Sequence, residues 1–302
     1  MTAASALAER SAQALGAAVL PAADAPPAGR GRAALLRRPG LLLAAVFTAL
    51  LLLASLQPAW LAPGDPLEAN AREAFLAPGA AHWLGTDENG RDVYTRVVYG
   101  ARASLVMGLA ATAIGLLAGV GLGLLAGLGH RWLDAAIMRL SDVLLAFPDM
   151  LLALVIIAFW GQGMLNATVA VGVASIPRYA RLVRAQAHVV RRASYVEAAA
   201  TLGLHPLTIV HRHVLPNVIK PVFILATIGI GTKIAAGASL SFLGLGAPPP
   251  SPEWGSMLAV GRNFLANAWW LTAMPGLAVT LTVLSITALG RELLRRSEGR
   301  TT

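Results

Sequence analysis

The sequence predicts an all-α polytopic membrane protein with six transmembrane helices and both termini in the cytoplasm. Three observations carry that expectation. Of the 302 residues, 56% are hydrophobic and only 13% charged, where soluble domains carry about 25% charged residues. The apolar residues fall in runs near the ~20 residues that a helix needs to cross a bilayer. The arginines gather in some of the intervening segments and the carboxylates in others, as the positive-inside rule requires.

The elements follow in chain order. Residues 1–40 are predicted to be a disordered cytoplasmic tail, rich in Ala, interrupted by Pro21, Pro26 and Pro27, and without clear periodicity. Arg30, Arg32, Arg37 and Arg38 precede an apolar run, and a first transmembrane helix is predicted over 41–62. A cleaved signal peptide is the alternative there, but the preceding tail is long for its charged region. Residues 63–100 are predicted to be an extracytoplasmic segment and elbow. Between 58 and 100 the acids Asp65, Glu68, Glu73, Asp87, Glu88 and Asp92 outnumber Arg72, Arg91 and Arg96.

The permease-like core is expected over 101–290. Its first span, about 101–129, contains the uncharged run "SLVMGLAATAIGLLAGVGLGLLAGL". Gly108, Gly115, Gly119, Gly123 and Gly127 lie along one face of that helix, the arrangement that lets membrane helices approach closely. Next, His130, Arg131 and Arg139 mark one cytoplasmic loop, and Arg178, Arg181, Arg184, Arg191, Arg192, Arg212 and Lys220 mark another. The chain must therefore cross twice between them. Two short spans, 143–160 and 164–180, hinged at Gly161-Gln162-Gly163, fit the length. Further spans are predicted at 218–243 and 269–290, the last with Trp269 and Trp270 as interface anchors. Residues 291–302, with Arg291, Arg295, Arg296 and Arg300, form a cytoplasmic tail.

The longest cytoplasmic loop, 181–217, holds "YVEAAATLGLHPLTIVHRHVLPN". Ala198, Ala199 and Ala200 favour helix and have little bulk. Gly203 can take a positive φ and end that helix, Pro206 suits the first turn of a second one, and Pro216 interrupts it before the next span. A short helix–turn–helix on the cytoplasmic face is expected. Local chemistry leaves two uses open, an amphipathic connector packed on the bundle or a docking surface for a partner.

Spacing adds a resemblance. "EAA", three residues, Gly203, nine residues and "HVLP" resemble the EAA loop of ABC importer permeases. "HWLGTDENGRDVYTRVVYGARASL", "DVLLAFPDMLLAL", "LSFLGLGAPPPSPEWGSML" and "GRNFLANAWWLTAMPG" are similar to the dipeptide/oligopeptide/nickel branch, on the C-type permease side of a heteromeric pair. Together these stretches cover most of residues 80–280. The resemblance implies the type I ABC importer permease fold and a coupling helix that docks in a cleft of an ATPase subunit. Carried onto this chain, the ATPase-coupling residues are Glu197, Ala198, Ala199, Gly203, His213, Leu215 and Pro216. Glu197 would be a polar contact or a loop brace, and Gly203 would set the angle between the helices. The chain departs from the branch at Gly237, where a Glu is usual, at Lys233, where a small residue is usual, and in its basic C-terminal end.

The same residues bear on other chemistry. A Walker A phosphate loop is absent, since Lys220 follows Ile219 and Lys233 follows Thr232. His205, His211 and His213 lack neighbouring carboxylates or Cys, so a basic surface is expected rather than a metal site. "GASLS" at 237–241 has no His after Ser239 to serve a nucleophile. Asp149 at a helix start complements the helix dipole, and a coupling-proton site is the alternative. A net charge of +9 spread between apolar runs reflects membrane flanks rather than nucleic-acid binding. The absence of Cys excludes disulfides and thiolate sites.

The sequence thus predicts a multi-pass permease subunit of a peptide-type ABC importer in a bacterial cytoplasmic membrane, without enzymatic activity. It would act with a homologous second permease, two ATP-binding subunits that hold ATP and Mg, and an extracytoplasmic substrate-binding protein. No cofactor or metal of its own is expected, and no nucleic-acid partner. Lys233 and Ser239 are expected on the substrate path. The alternatives are a self-contained ion-coupled secondary carrier, a membrane subunit that only anchors partners, and nickel, opine or glutathione-like cargo in place of peptide.

Overall fold

The computed structural model describes residues 39–297, which are helices joined by turns. Most of the predicted N-terminal tail and residues 298–302 lie outside the described residues. Helix α1 spans Pro39–Leu56. It is shorter than the predicted span to residue 62, because Pro58 has no N–H to continue the ladder and instead starts a separate turn, Pro58–Trp60.

Helix α2, Val93–Leu128, has 36 residues, about 54 Å at 1.5 Å per residue. It is capped by Asp92, which accepts from the Thr95 N–H at 2.8 Å. Its first two turns thus belong to the predicted extracytoplasmic elbow. After it come α3 (Arg131–Leu145), α4 (Asp149–Trp160) and α5 (Met164–Arg191).

Two boundaries differ from expectation here. The predicted span 143–160 is broken: α3 ends at Leu145, α4 starts at Asp149, and the two meet at a bend of 94°. Pro148 lacks an N–H and biases Phe147 away from helix. The predicted span 164–180 instead continues to Arg191, so that what was expected to be loop from 181 is helix. Val183, Ala187 and Val190 are buried there, and this apolar stripe keeps the helix going.

The connection between α5 and the next long helix contains α6 (Ser194–Thr201) and α7 (Pro206–Ile209). A π-helical segment, Val210–Val214, joins α7 directly to α8 (Leu215–Phe242). Then come α9 (Trp254–Gly261) and α10 (Trp270–Ser297), the latter running through much of the predicted tail. Among the described residues, four stretches are individually long and apolar enough to cross a membrane: α1, α2, Pro206–Phe242 and α10. Bent α3 and α4 together would be a fifth.

Packing defines two ends of the bundle. At one end, Trp270 Nε1 donates to Thr86 O at 3.0 Å, Trp254 Nε1 to Val97 O at 2.9 Å and Arg96 Nη2 to Pro250 O at 3.2 Å. Trp270 is only 5% exposed, so it stitches the elbow to α10 instead of anchoring at an interface; Trp269 is exposed. Under this elbow Asp87 Oδ2 bonds Arg91 Nε at 2.6 Å and lies 3.4 Å from Arg96 Nε. The fully buried Glu253 caps α9 by accepting from the Gly255 and Ser256 N–H groups, each at 2.8 Å. Burial pushes its carboxyl up, and the two N–H donors partly oppose that. The Gly161–Gly163 turn belongs to the same end, because the Gly163 N–H donates to Leu245 O at 3.1 Å just past α8. At the other end, Gly127 of α2 faces Ala187 of α5, and Leu128 packs with Val196 and Val214.

Helices α2 and α5 are held together by the predicted glycine stripe. A Cβ on Gly115 or Gly119 would overlap Ser175 or Tyr179, and one on Gly123 would lie 2.6 Å from both Ala180 O and Val183 Cβ. Gly121, by contrast, faces open space. Gly123→Leu should therefore destabilise the protein by about 3 kcal/mol or more, and Gly121→Leu should stay within about 0.5 kcal/mol of wild type. Thermal unfolding of the purified protein in detergent measures both; equal melting temperatures for the two variants would contradict the packing.

Candidate functional site

The α6–α7 hairpin is built by local rules. Helix α6 ends at Gly203, with φ +78°. The Leu204 N–H donates to Ala199 O at 3.2 Å and the Gly203 N–H to Ala200 O at 3.0 Å, the paired bonds of a Schellman cap. The next helix starts as expected, with His205 Nδ1 accepting from the Leu207 N–H at 3.4 Å and Pro206 in the first turn. Val196 and Ala199, three residues apart, are both buried, and Val196 belongs to one apolar cluster with Val214 and Val218. That leaves Glu197 and Ala198 on the outer face.

The sequence-predicted coupling residues divide by this packing. Glu197, Ala198, Gly203 and Pro216 are exposed, His213 and Leu215 are half-buried, and Ala199 is buried. The Glu197 carboxylate makes no hydrogen bond or ion pair among the described residues, so it does not brace the loop. Around it, Leu202 and Leu207 are 79% and 71% exposed, which gives the hairpin tip an apolar surface. The His213 ring lies tilted beside the Tyr195 ring, with centroids 6.4 Å apart. The π-helical segment was not foreseen. The β-branched and His-rich run "TIVHRHV" offers no sequence signal that separates π from α.

A second feature missed in the sequence is a ladder of ion pairs along α5. Arg178 Nη2 meets Asp149 Oδ2 at 2.8 Å, Arg181 Nη2 meets Asp142 Oδ1 at 2.6 Å, and Arg184 grips both oxygens of Asp134. The spacing held a clue. Three Arg at three-residue steps lie on α5, while Asp134 and Asp142 come from α3 and Asp149 from the start of α4, beyond the bend. Asp149 is thus paired, and it also occupies the first turn of α4.

Lys233 lies in α8, 6% exposed, beside a cavity of about 170 Å³ that Asp149 and Arg178 also line. Ser239 is elsewhere: it is exposed and donates to Ala235 O of its own helix at 2.9 Å, so the two predicted path residues do not share a site. At Gly237 a Cβ would overlap Met107 Sδ of α2, so the Glu that the resembling branch carries there would require the Met107 side chain to move.

Comparison with known proteins accords with this architecture. The family described as binding-protein-dependent transport system inner membrane component matches residues 119–299. A dipeptide transport system permease protein of Alkalihalophilus pseudofirmus is 41% identical over 81% of this chain and 80% of its own length. A glutathione transport system permease protein of Escherichia coli is 42% identical, covering 82% of each. A probable D,D-dipeptide transport system permease protein of Escherichia coli is 40% identical over 84% of this chain and 87% of its own length. Among solved structures, an inward-facing methionine ABC transporter chain is similar in fold, with TM-score 0.53, 21% identity and coverage of 66% of this chain and 95% of that one.

The ladder yields a charge-swap test. Asp134→Arg places two cations together and should lower stability by about 1 kcal/mol or more. Adding Arg184→Asp should recover most of that loss. Melting of the purified single and double variants decides it, and a double variant no more stable than the single one would mean that the pair contributes nothing.

Proposed function

This chain is a member of the binding-protein-dependent transport system inner membrane component family, the permease subunits of ABC importers, and we propose that it carries peptides across a bacterial cytoplasmic membrane. It is a multi-pass membrane transport component and not an enzyme. The peptide assignment is supported by relatives named for dipeptide transport that align over four-fifths of the chain. In this reading the chain works beside a homologous permease, two ATP-binding subunits and an extracytoplasmic binding protein.

Coupling runs through the α6–α7 hairpin. The observation that carries it is the exposed tip, with an unpaired Glu197, exposed Leu202 and Leu207, and a glycine hinge. Helix α6 begins three residues after α5 ends, and the π-helical segment fuses α7 to α8. A push on the tip by a closing ATPase dimer therefore reaches two bundle helices at once. Buried Val196 and Ala199 transmit it by packing, since a close-packed contact moves as a body. The ATP and its Mg belong to the partner subunits.

We place six crossings with both termini inside: α1, α2, the bent α3–α4 pair, α5, α8 and α10. The reasons are the arginines at the hairpin end and the Gly163–Leu245 bond, which puts the α4–α5 turn at the opposite end. Single cysteines at Ala80, Ser251 and Thr301 of this Cys-free chain are expected to react with a membrane-impermeant thiol reagent from outside, outside and inside respectively. External labelling at Thr301 would remove the six-crossing arrangement.

Gly203→Val tests the coupling assignment. The position has open space around it but φ +78°, so the cost is backbone strain of about 1–2 kcal/mol, which corresponds to roughly tenfold in a rate or equilibrium. Gly203→Val and Glu197→Arg should reach the membrane and still lose about tenfold or more of ATP-driven uptake. Proteoliposomes of the full complex measure this, together with ATPase stimulation by the loaded binding protein. Normal uptake and normal stimulation in both variants would refute the assignment. Ion-driven uptake by this chain alone would favour a self-contained carrier instead.

A further inference from the structure

The cavity between α4, α5 and α8 has the charge balance of an anion site. Its volume is about 170 Å³, and small side chains, Ala153, Ala174 and Ala236, keep part of its wall open. Lys233, 6% exposed, makes no hydrogen bond or ion pair among the described residues. Arg178 and Asp149 sit at the more exposed rim, paired at 2.8 Å. Two cations and one carboxylate leave one positive charge uncompensated. A charged Lys within a membrane helix costs about 2.5–3.5 kcal/mol when it has no partner. An entering anion would recover much of that cost, and the local acid is already held by Arg178.

The position suits a transit site. Lys233 is nine residues from the outer end of α8 at Phe242, about 14 Å along the helix, and therefore near mid-bilayer. The helices that carry Arg178 and Lys233 are the two that flank the coupling hairpin, so a movement of the hairpin changes the width of this cavity. We propose that the cavity binds the terminal carboxylate of the transported solute, with Lys233 as its main counter-ion and Arg178 as the second. This rests on the peptide reading above for the identity of the solute, and on the cavity itself for the carboxylate chemistry. A carboxylate from the second permease is the competing occupant. The small-residue wall argues against it, because a helix packed on Lys233 would be expected to fill the space.

The chain contains two lysines, Lys220 and Lys233, which makes the test direct. The nucleotide-free complex in nanodiscs is reductively methylated, and modification at each lysine is followed by mass spectrometry. Exposed Lys220 serves as the internal reference. Diglycine at about ten times its Kd should slow modification of Lys233 about tenfold by occupancy, leaving Lys220 unchanged, and diglycine amide should not. Equal slowing by the amide would overturn the proposal. So would no slowing by any carboxylate, and that result combined with faster modification in the separated chain would assign Lys233 to a partner acid. Slowing by acetate but not by diglycine keeps the carboxylate site and counts against the peptide reading. In parallel, Lys233→Met should cut diglycine uptake about tenfold, a loss of about 1.4 kcal/mol, with assembly intact, and Lys233→Arg should retain most of it. Wild-type uptake by Lys233→Met would also overturn the proposal.

Discussion

The close approach of α2 and α5 is the constraint on which the remaining arrangement rests. In a bilayer, apolar side chains gain little by leaving lipid for one another, so helices associate through van der Waals fit and interhelical polar contacts. The stripe from Gly115 to Gly127 lets the α2 backbone sit against Ser175, Tyr179, Val183 and Ala187. Any side chain in the stripe would force the helices apart. Because α5 is one continuous helix, fixing it on α2 also fixes the arginine face that holds α3 and α4, and the root of α6.

The two ends of the bundle are built by different physics. The elbow end relies on long-range hydrogen bonds from Trp254, Trp270 and Arg96 to backbone carbonyls, and on a buried Asp87–Arg91–Arg96 cluster. Such groups are costly to bury unless every one finds a partner, and a fully partnered network holds its shape. The hairpin end is tied by apolar contacts, with Val196 clustered with Val190, Val214 and Val218, and Glu197, Leu202 and Leu207 are turned outward. The elbow end is therefore held by a hydrogen-bonded polar network and the hairpin end by apolar packing.

Charge along α5 follows the same need for partners. Arg178, Arg181 and Arg184 each meet an Asp from a neighbouring segment. These pairs hold the broken helix, whose 94° bend at Pro148 leaves α4 only 12 residues long, about 18 Å. Among the described residues Lys233 is the exception in making no ion pair, since nearby Asp149 is paired with Arg178. Its place beside the first rung of the ladder makes that rung part of the cavity as well as of the scaffold.

Much of this was legible in the sequence, because it depends on neighbours in the chain. The glycine stripe, the positive φ at Gly203, the helix start at Pro206 and the apolar runs are local properties that the residue types impose. The extent of α5 was not legible, since an arginine-rich segment looks like a loop until Asp134 and Asp142 are brought to it from another helix. The break at Pro148 could be read as a helix start within the span, but its angle is set by where α3 and α4 pack. Trp270 looked like an interface anchor because sequence cannot reveal that Thr86 O, 184 residues away, waits for its N–H. Residue chemistry alone determined a helical membrane protein with an exposed hinge on a basic face. Tertiary structure decided which charges are neutralised and which one is left facing a cavity, because that depends on distances between helices, and no local rule encodes them.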